Sequence, residues 1–570
     1  MLFLSSLFHP KYAKLLCSFL VLVQFNAEAA QWSETDLELQ RQQQQLQDLR
    51  QKFEPEQHVL SGLNTATRGK RLPATESPCF LIKKIQLQGE FFTFGSLQSQ
   101  LAGPDGDDAP EGRCLGLQSI QLLAERIQNA LIADGYITTR VTVNSQDLTQ
   151  ALLTLNVLPG RIAKIRYRGE STTGPYLSVL LPTTEGNVLN LRHIEQALEN
   201  FRRAPSADVD IQIEPSHEEG LSDLVFDYQQ AKPYRFSLSV DDSGSSETGK
   251  YQGNLTGFVD NLLNVSDTLY FSYLHNLDGI GSAQNGTEGY IFHYSLPFGF
   301  WQLGLTASSN QYHQTVAGAY QNYLYSGDSA QQEIQISYVL HRNASSKTNL
   351  DLSVFSRSSH NYIDDTEVAV QRRLTSGWEL SLNHRHQFSQ AAISAGLSYK
   401  RGTGAFNALP APEELFDEGT SRMSLLNATL AVDGAFNAGA QHFAYSSALR
   451  GQHAFTLLTP QDRFCIGSRH SVRGFDGSQS LCADRGLTWR NEIRASLLDG
   501  QIQPYLGLDG GMVSGPRSEF LAGRHLAGGV LGIRGAAGPV QYDLFAGGPL
   551  YQPPKKISSY TYGFSLSLSF

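Results

Sequence analysis

The carboxy-terminal stretch Phe564-Ser565-Leu566-Ser567-Leu568-Ser569-Phe570 decides the fold class of this chain. Apolar residues alternate with serine there, so the two faces of one strand meet opposite environments. The same period of two runs through residues 333–340 and 350–354, and it recurs along the chain back to about residue 231. Residues 232–570 are therefore predicted to form antiparallel β-structure.

A transmembrane barrel explains this alternation better than a soluble β-sandwich, because the alternating region is long for one compact two-sheet core. A barrel turns its apolar face to lipid and its polar face to a wet lumen, and closure pairs every backbone group. Candidate strands begin near residues 234, 250, 267, 288, 300, 332, 347, 368, 378, 391, 423, 441, 487, 503, 525 and 540, and one more ends the chain. Since such barrels have an even number of strands, the candidate near residue 368 is expected to be a loop, which leaves sixteen.

The amino terminus has the pattern of a secretory signal peptide over residues 1–29. Lys11 and Lys14 precede a short apolar core at residues 15–23, and Ala27-Glu28-Ala29 supplies the small-x-small cleavage pattern. The core is shorter than the ~20 apolar residues of a spanning helix, which argues against a membrane anchor. The chain is therefore expected to be exported into an oxidising compartment.

Four cysteines are left once Cys17 departs with the signal peptide. Cys79 and Cys114 lie in one region and Cys465 and Cys482 in another, so each couple could close a local disulfide after export. Metal binding is the alternative, but neither couple has a C-x-x-C spacing or a nearby histidine pair.

Two small α/β units are predicted ahead of the barrel, at residues 77–158 and 159–231. The first has a strand at 80–87, a helix at 117–131 and strands at 138–143 and 151–158, and the second has a strand at 162–167, a helix at 191–201 and strands at 209–214 and 223–228. Gly135 follows the first helix, where a C-cap favours a positive φ. Each unit is too small for an enzyme pocket, whereas exposed sheet edges suit peptide capture by strand addition.

Residues 30–56 are predicted to be helical and polar, and residues 57–76 to be a linker. Leu39, Leu46, Leu49 and Phe53 give the helix only a thin apolar stripe. A solvated tail, a short coiled coil and a helix inside a water-filled lumen all fit such a stripe.

The loop predicted at residues 462–486 contains the most specific cluster, Val472-Arg473-Gly474-Phe475. An arginine between small and aromatic residues in a long loop can fold inward and meet an acid of the wall. Asp509, followed by Gly511 on a later strand, offers that acid, because a carboxylate is costly on the lipid face and should point into the lumen. A solvated loop arginine is the alternative.

These features resemble a known superfamily. The Val472-Arg473-Gly474-Phe475 tetrapeptide, the Asp509-x-Gly511 strand and the terminal Phe570 look like those of outer-membrane protein-assembly and translocation barrels. The first α/β unit is similar to the first POTRA domain of two-partner secretion (TpsB) transporters of the haemolysin secretion/activation type, and the second resembles their second POTRA domain. The matching segments of the first unit are Cys79-Phe80-x-Ile82-x-x-Ile85, Cys114-Leu115, Gly135-Tyr136-x-Thr138-Thr139-Arg140-Val141 and Gln146-Asp147-Leu148.

The resemblance implies a mainly β protein: a sixteen-stranded transmembrane barrel in the outer membrane, two periplasmic POTRA domains and an amino-terminal helix that plugs the pore. It also implies that the inward loop pairs Arg473 with Asp509, and that Phe570 marks the chain for the barrel-assembly machinery. The partners would be outer-membrane lipid and one secreted exoprotein, which crosses unfolded to the cell surface. The sequence leaves open which exoprotein this is and whether the carrier also activates it.

Two features depart from the superfamily pattern or go beyond it. Gly507 stands two residues before Asp509, where the superfamily often has an aromatic residue, so packing beside the Arg473–Asp509 pair is less defined. Cys465 and Cys482 bracket the loop and could pin its base, although the family does not require such a pair.

Other functions are less well supported. A barrel-assembly factor would carry more POTRA domains and no plug helix, and a diffusion porin would lack the region ahead of the barrel. The net charge of −10 argues against nucleic acid, and no nucleophile elbow, phosphate loop or convincing carboxylate pair suggests an enzyme or a cofactor. Asp105, Asp107, Asp108 and Glu111 lack EF-hand spacing, and His384 and His386 are expected at the lumen or rim rather than in a metal site.

Overall fold

The computed structural model describes residues 70–90, 94–103, 105–169, 174–278, 284–554 and 560–570, together with residue 43. The predicted signal peptide, the plug helix (apart from residue 43) and the linker up to residue 69 lie outside these residues. Residues 70–76 are described, and they pack on the first α/β unit instead of linking to it. Leu72 is buried in the core of that unit. The Glu76 carboxylate accepts hydrogen bonds from the N–H groups of Gly116 and Gln118, which caps a helix start.

The first unit consists of two small sheets, one long helix and one short helix. Its elements are β1 (Phe80–Ile82), β2 (Lys84–Gln88), α1 (Phe94–Ser99), β3 (Arg113–Leu115), α2 (Leu117–Ala133), β4 (Arg140–Thr142) and β5 (Leu152–Leu158). The predicted strand at 80–87 divides at Lys83: β1 pairs with β3, whereas β2 lies parallel to β5, which pairs antiparallel with β4. The buried face of α2, including Leu123 and Ile127, packs on the inner faces of the strands.

The second unit has the same order of strand, helix and paired strands. Its elements are β6 (Arg161–Tyr167), α3 (Leu177–Leu180), α4 (Leu191–Arg202), β7 (Ala207–Pro215) and β8 (Leu221–Gln230). The central strand β8 is parallel to β6 and antiparallel to β7. Phe201 of α4 and Phe226 of β8 are fully buried between the helix and this sheet.

The remaining strands form one closed antiparallel barrel and a small separate hairpin. They are β9 (Tyr234–Asp241), β10 (Gln252–Asp260), β11 (Thr268–Asn276), β12 (Asn285–Phe298), β13 (Trp301–Ala317), β14 (Asn322–Arg342), β15 (Ser346–Ile363), β16 (Thr366–Glu367), β17 (Arg373–Gln387), β18 (Ala391–Thr403), β19 (Ser424–Ala438), β20 (Gln441–Ala454), β21 (Phe464–Ile466), β22 (Leu481–Ala483), β23 (Arg485–Ser496), β24 (Gln503–Ser514), β25 (His525–Ala537), β26 (Val540–Tyr551) and β27 (Thr561–Ser569).

Sixteen of these strands form the wall, which confirms the predicted number. The short β16 pairs only with the end of β15, and β15 pairs directly with β17. The candidate strand near residue 368 is therefore part of a loop, as expected. The small strands β21 and β22 pair with each other inside the loop that joins β20 to β23.

The two faces of the wall have opposite chemistry. On β15, Leu352 and Val354 are exposed on the outer face, whereas Asp351 and Arg357 are buried on the inner face. Phe271, Ile334 and Leu531 are exposed on the outer faces of three other strands. This outer apolar band and polar interior are what a lipid-embedded barrel requires. No helix among the described residues is both long and apolar enough to span a membrane.

The second unit docks on the barrel through α4. Asn200 donates a hydrogen bond to the carbonyl of Gly299, in the turn between β12 and β13. The Glu199 carboxylate forms a salt bridge of 2.7 Å with Arg342 and another with Lys347. Both cations flank the turn between β14 and β15. These turns and the start of β9 therefore mark the end of the barrel that faces the α/β units.

Candidate functional site

The loop between β20 and β23, residues 455–484, folds into the barrel, and we call it the inward loop. Cys465 and Cys482 are directly paired residues of its β21–β22 hairpin and form a disulfide. A buried apolar cluster fixes the loop against the inner wall. Its members are Phe464, Ile466, Val472, Phe475, Leu481 and Ala483 of the loop, with Val513 of β24 and Leu526 of β25.

Arg473 lies at the base of this cluster and binds two carboxylates of the wall. Its guanidinium contacts Asp509 of β24 in bidentate fashion, with Nε 2.7 Å from Oδ2 and Nη2 2.9 Å from Oδ1. Nη1 donates to Glu492 of β23 at 2.6 Å, and Nη2 also donates to the carbonyl of Asn491. The Arg473 backbone N–H donates to Asp509 as well, at 3.0 Å. The structure therefore brings together the two residues for which the sequence suggested a pair.

Burial strengthens the attraction between these charges, and it also raises the cost of removing any one of them. The side chains of Arg473 and Glu492 are less than a tenth exposed, and that of Asp509 is fully buried. Arg534 of β25 also donates to Glu492, at 2.9 Å. A buried charge that loses its partner costs about 3–5 kcal/mol, so each member depends on the others.

Glycines provide the space in which Arg473 lies. A Cβ added to Gly507 would come within 2.5 Å of the Arg473 guanidinium, and one added to Gly511 would come within 2.7 Å of the Val472 side chain. At Gly528 a Cβ would overlap the Arg473 carbonyl. Gly474 has a φ of 97°, a conformation that favours glycine. The glycine at position 507 thus gives room to the guanidinium, where an aromatic ring would need a different arrangement.

Two further ion pairs tie the inward loop to other strands. Asp462 pairs with Arg357 of β15 at 3.1 Å and with Lys400 of β18 at 3.2 Å. Arg469 pairs with Asp242, just after β9, at 2.6 Å. The loop is therefore attached at three places around the barrel rather than at Arg473 alone.

Sequence reasoning gave no role to Glu492, Asp462 or Arg469. Glu492 could have been found by the argument used for Asp509, since it alternates with the exposed Ile493 on a wall strand. No comparable local signal marks Asp462 and Arg469, because their partners lie on strands remote in sequence.

A cavity of about 590 Å³ lies beside the loop in the lumen. Charged groups of both signs line it. Among them are Arg469, Arg490, Arg494, Glu492, Asp433 and Asp543. This part of the lumen is therefore lined by groups that water can solvate.

The other residues singled out from the sequence lie outside this site. Cys79 and Cys114 form a disulfide beside β1 and β3. Phe570 exchanges backbone hydrogen bonds of 2.9 and 3.0 Å with Phe236 of β9, and its ring is exposed on the outer face. The Phe570 side chain is therefore accessible at the barrel end nearest the α/β units.

The acidic turn and the two histidines, which were considered as metal ligands, have the following surroundings. Asp108 binds Arg113 at 2.7 Å and also Arg126. His384 and His386 share the outer face of β17, close to the turn that leads into β18. Within the described ranges, no group of three or more His, Cys, Asp or Glu side chains could hold a metal ion.

Comparison with known proteins identifies the family. Residues 220–535 match the haemolysin secretion/activation protein family ShlB/FhaC/HecB, residues 80–160 match the ShlB-type POTRA domain, and residues 161–215 match a POTRA domain. The chain is 33% identical to outer membrane transporter CdiB-2 of Burkholderia pseudomallei (strain 1026b), over 87% of each chain. It is 25% identical to the hemolysin transporter protein ShlB of Serratia marcescens, over 79% of this chain and 78% of the relative.

A solved structure has the same architecture. CdiB from Acinetobacter baumannii superposes with a TM-score of 0.83 at 30% identity, over 94% of this chain and 98% of that chain. The transporter interpretation of the sequence is thereby confirmed, as are the outer-membrane location of the barrel and the periplasmic location of the POTRA domains. The chain belongs to the haemolysin secretion/activation family ShlB/FhaC/HecB and is an outer-membrane transporter of two-partner secretion.

Proposed function

We propose that this transporter exports one partner exoprotein, and that the inward loop is the gate of its channel. The observation that carries the proposal is the buried network in which Arg473 holds the loop to Asp509 and Glu492. A loop held inside the lumen occupies the path that a polypeptide must take. Passage therefore requires the loop to move, and the ion pairs at its base determine where it rests.

Cargo capture is proposed to occur at the sheet edges of the POTRA domains. In the first domain β2 and β4 are the outer strands of their sheet, and in the second domain β6 and β7 are. The backbone groups of an edge strand can pair with an extended segment of an unfolded chain. The cargo itself is proposed to be of the class carried by the CdiB transporters, which align with up to 96% of this chain.

No energy source or chemistry within the transporter is part of this proposal. The sequence has no nucleotide-binding loop, so we infer that folding of the cargo at the cell surface gives transport its direction. The charged groups of the lumen act as structural partners of one another rather than as catalysts. Outer-membrane lipid covers the apolar outer face, and the barrel-assembly machinery reads Phe570 during insertion.

The proposal is tested by replacing Arg473 in cells that also express the partner exoprotein. We expect Arg473→Ala to lower surface cargo by more than about tenfold, because two buried carboxylates lose the cation that positions the loop. Arg473→Lys should restore only part of the export, since an ammonium cannot bind Asp509 in bidentate fashion. The exposed Arg524, in the loop between β24 and β25, provides a matched control as Arg524→Ala.

Barrel folding is monitored in the same cells by the heat-modifiable migration of the transporter on gels. Export at the wild-type level by a folded Arg473→Ala barrel would contradict the gating proposal. Loss of many outer-membrane barrels on deletion of the gene, rather than of one secreted protein, would contradict the single-cargo proposal and favour an assembly factor.

A further inference from the structure

The barrel closes where its first and last wall strands meet, and this seam is short. The ladder joins Ser237 through Asp241 of β9 to Ser569 through Ser565 of β27, and the Phe236–Phe570 backbone hydrogen bonds continue it at the end near the POTRA domains. By contrast, β9 pairs with β10 from Tyr234 to Asp241, along its whole length. The amino-terminal part of β27, from Thr561 to Phe564, therefore extends beyond the backbone pairing of the seam.

A hydrogen bond to a side chain continues the seam where its backbone ladder ends. The backbone N–H of Phe564, next in line after Ser565, donates a hydrogen bond of 3.0 Å to Oδ1 of Asp242. The Asp242 side chain is only 6% exposed, so its charge needs a partner within the protein. This carboxylate thus adds one further link between the two strands at the end remote from the POTRA domains.

The partner of Asp242 comes from the inward loop. Nη2 of Arg469 lies 2.6 Å from the same Oδ1, and Nη1 lies 4.0 Å from Asp241. The guanidinium also lies over the Phe545 ring, 5.1 Å from its centroid. Gly563 of β27 leaves room for it, since a Cβ there would overlap both the Phe545 ring and the guanidinium.

We infer that Arg469 is a positioning residue that couples the inward loop to the seam. While the loop is inside the barrel, Arg469 neutralises Asp242 and keeps its carboxylate facing the Phe564 N–H. When the loop leaves, the carboxylate loses its counter-ion and turns toward water, and the seam loses its last link. Withdrawal of the loop thereby loosens the barrel wall at the closure as well as clearing the lumen.

This coupling is separate from the buried ion network of Arg473. Arg473 acts on β23 and β24, whereas Arg469 acts on β9 and β27. The inference rests on the proposed gating function only in assuming that the loop moves. The link between Arg469 and the seam can be measured without any cargo.

The test is amide hydrogen exchange on the full-length protein reconstituted in lipid vesicles. We expect Arg469→Ala to speed exchange about tenfold in peptides from residues 561–565 and 234–241, because a charge-assisted contact at the seam end is lost. Asp242→Asn should have a similar effect, since an amide can still accept from Phe564 but does not attract Arg469. The double variant should add little to either single change.

Arg494→Ala is the matched control, because Arg494 also lines the lumen but lies 3.9 Å from Glu492 and away from the seam. It should leave exchange in β9 and β27 unchanged. Wild-type exchange at the seam in Arg469→Ala would overturn the inference, as would acceleration spread evenly over all wall strands. Cargo export is scored separately in cells, so failure of the transport proposal is distinguishable from failure of this coupling.

Discussion

The two POTRA domains share an order of elements but are stabilised by different means. The first is braced from within by the Cys79–Cys114 disulfide and by Asp108, which ties Arg113 and Arg126 together. The second is braced from outside, since α4 docks on the barrel turns through Glu199 and Asn200. The domain next to the barrel thus uses the barrel as part of its support, whereas the more distant domain carries its own cross-links.

This difference suggests that the two domains have different mechanical roles. Under the capture proposed above, internal cross-links keep the shape of the first domain when a cargo segment pulls on it. A domain joined to the barrel by buried charges holds a fixed direction relative to the lumen. Removing the internal cross-links of the first domain should therefore destabilise the first domain alone. Removing the contacts between α4 and the barrel should destabilise the second domain alone.

The largest effect is expected from Glu199→Ala. Burial by itself raises the pKa of Glu199, but Lys347 and Arg342 outweigh it and hold the pKa below its ordinary value. The removal of this carboxylate leaves two nearly buried cations without their main partner, at a cost of about 3–5 kcal/mol. Exchange in α4 and in the 299–301 and 342–346 turns should accelerate strongly, as measured by amide hydrogen exchange in vesicles.

The exposed Glu219 supplies the control for that experiment, as Glu219→Ala. The comparison between the domains is wrong if Glu199→Ala accelerates exchange in β2, β4 and β5 as much as in α4.

A smaller effect is expected from removing the first disulfide by Cys79→Ser together with Cys114→Ser. The bridge spans 35 residues of sequence, and closing a loop of that length stabilises a domain by about 2–4 kcal/mol. The first domain should therefore open at a lower urea concentration, as followed by exchange of peptides from residues 80–158.

The Cys465→Ser and Cys482→Ser pair is the matched control, because it removes a disulfide from the inward loop instead. Equal loss of protection in both POTRA domains after the Cys79 and Cys114 changes would show that the domains are not supported independently.

The smallest effect is expected from lowering the pH, which protonates the Asp108 carboxylate. Burial raises the pKa of Asp108, but the Leu72 N–H, Arg126 and Arg113 outweigh it and hold the pKa below its ordinary value. A carboxyl group with a lowered pKa stabilises the fold fully above its unfolded value, and this contribution is lost as the pH falls through the folded value. The first domain should therefore lose protection as the pH falls below about 4, the ordinary pKa of an aspartic acid.

Asp108→Asn tests the cause of this acid sensitivity. The variant should be less stable than wild type at pH 7, and the difference should shrink as the pH falls. An unchanged difference between pH 7 and pH 3 would assign the acid sensitivity to other carboxylates, such as Glu76.

Particular residues show how far the sequence could be interpreted. Alternation alone predicts the strand near 540 and the terminal strand, and the even strand number predicts the loop near 368. The division of the first strand at Lys83 was not predicted. Ile82 and Ile85 are both buried although they are three residues apart, so the alternation changes phase between β1 and β2, and the two strands pair with different partners. The packing of residues 70–76 on the first domain was also missed, since Leu72 and Glu76 meet partners about forty residues away.

The same limit applies to the site. Arg473 and Asp509 were suggested by their motifs, but Glu492 completes the network only because β23 and β24 lie side by side in one register. The Arg469–Asp242 pair joins residues 227 positions apart, across the closure of the barrel. No pattern within either segment contains that information.

The sequence by itself determined that this chain forms a membrane barrel preceded by two α/β domains, because period-two alternation and helical periodicity are local responses to lipid and water. Only the tertiary structure decided which charged side chains meet inside the barrel. Such meetings depend on strand register and closure, and a slip of one residue would exchange the lipid face for the lumen face. The attachment of the inward loop to the wall and to the seam is therefore a property of the closed barrel, although each participating residue is visible in the sequence.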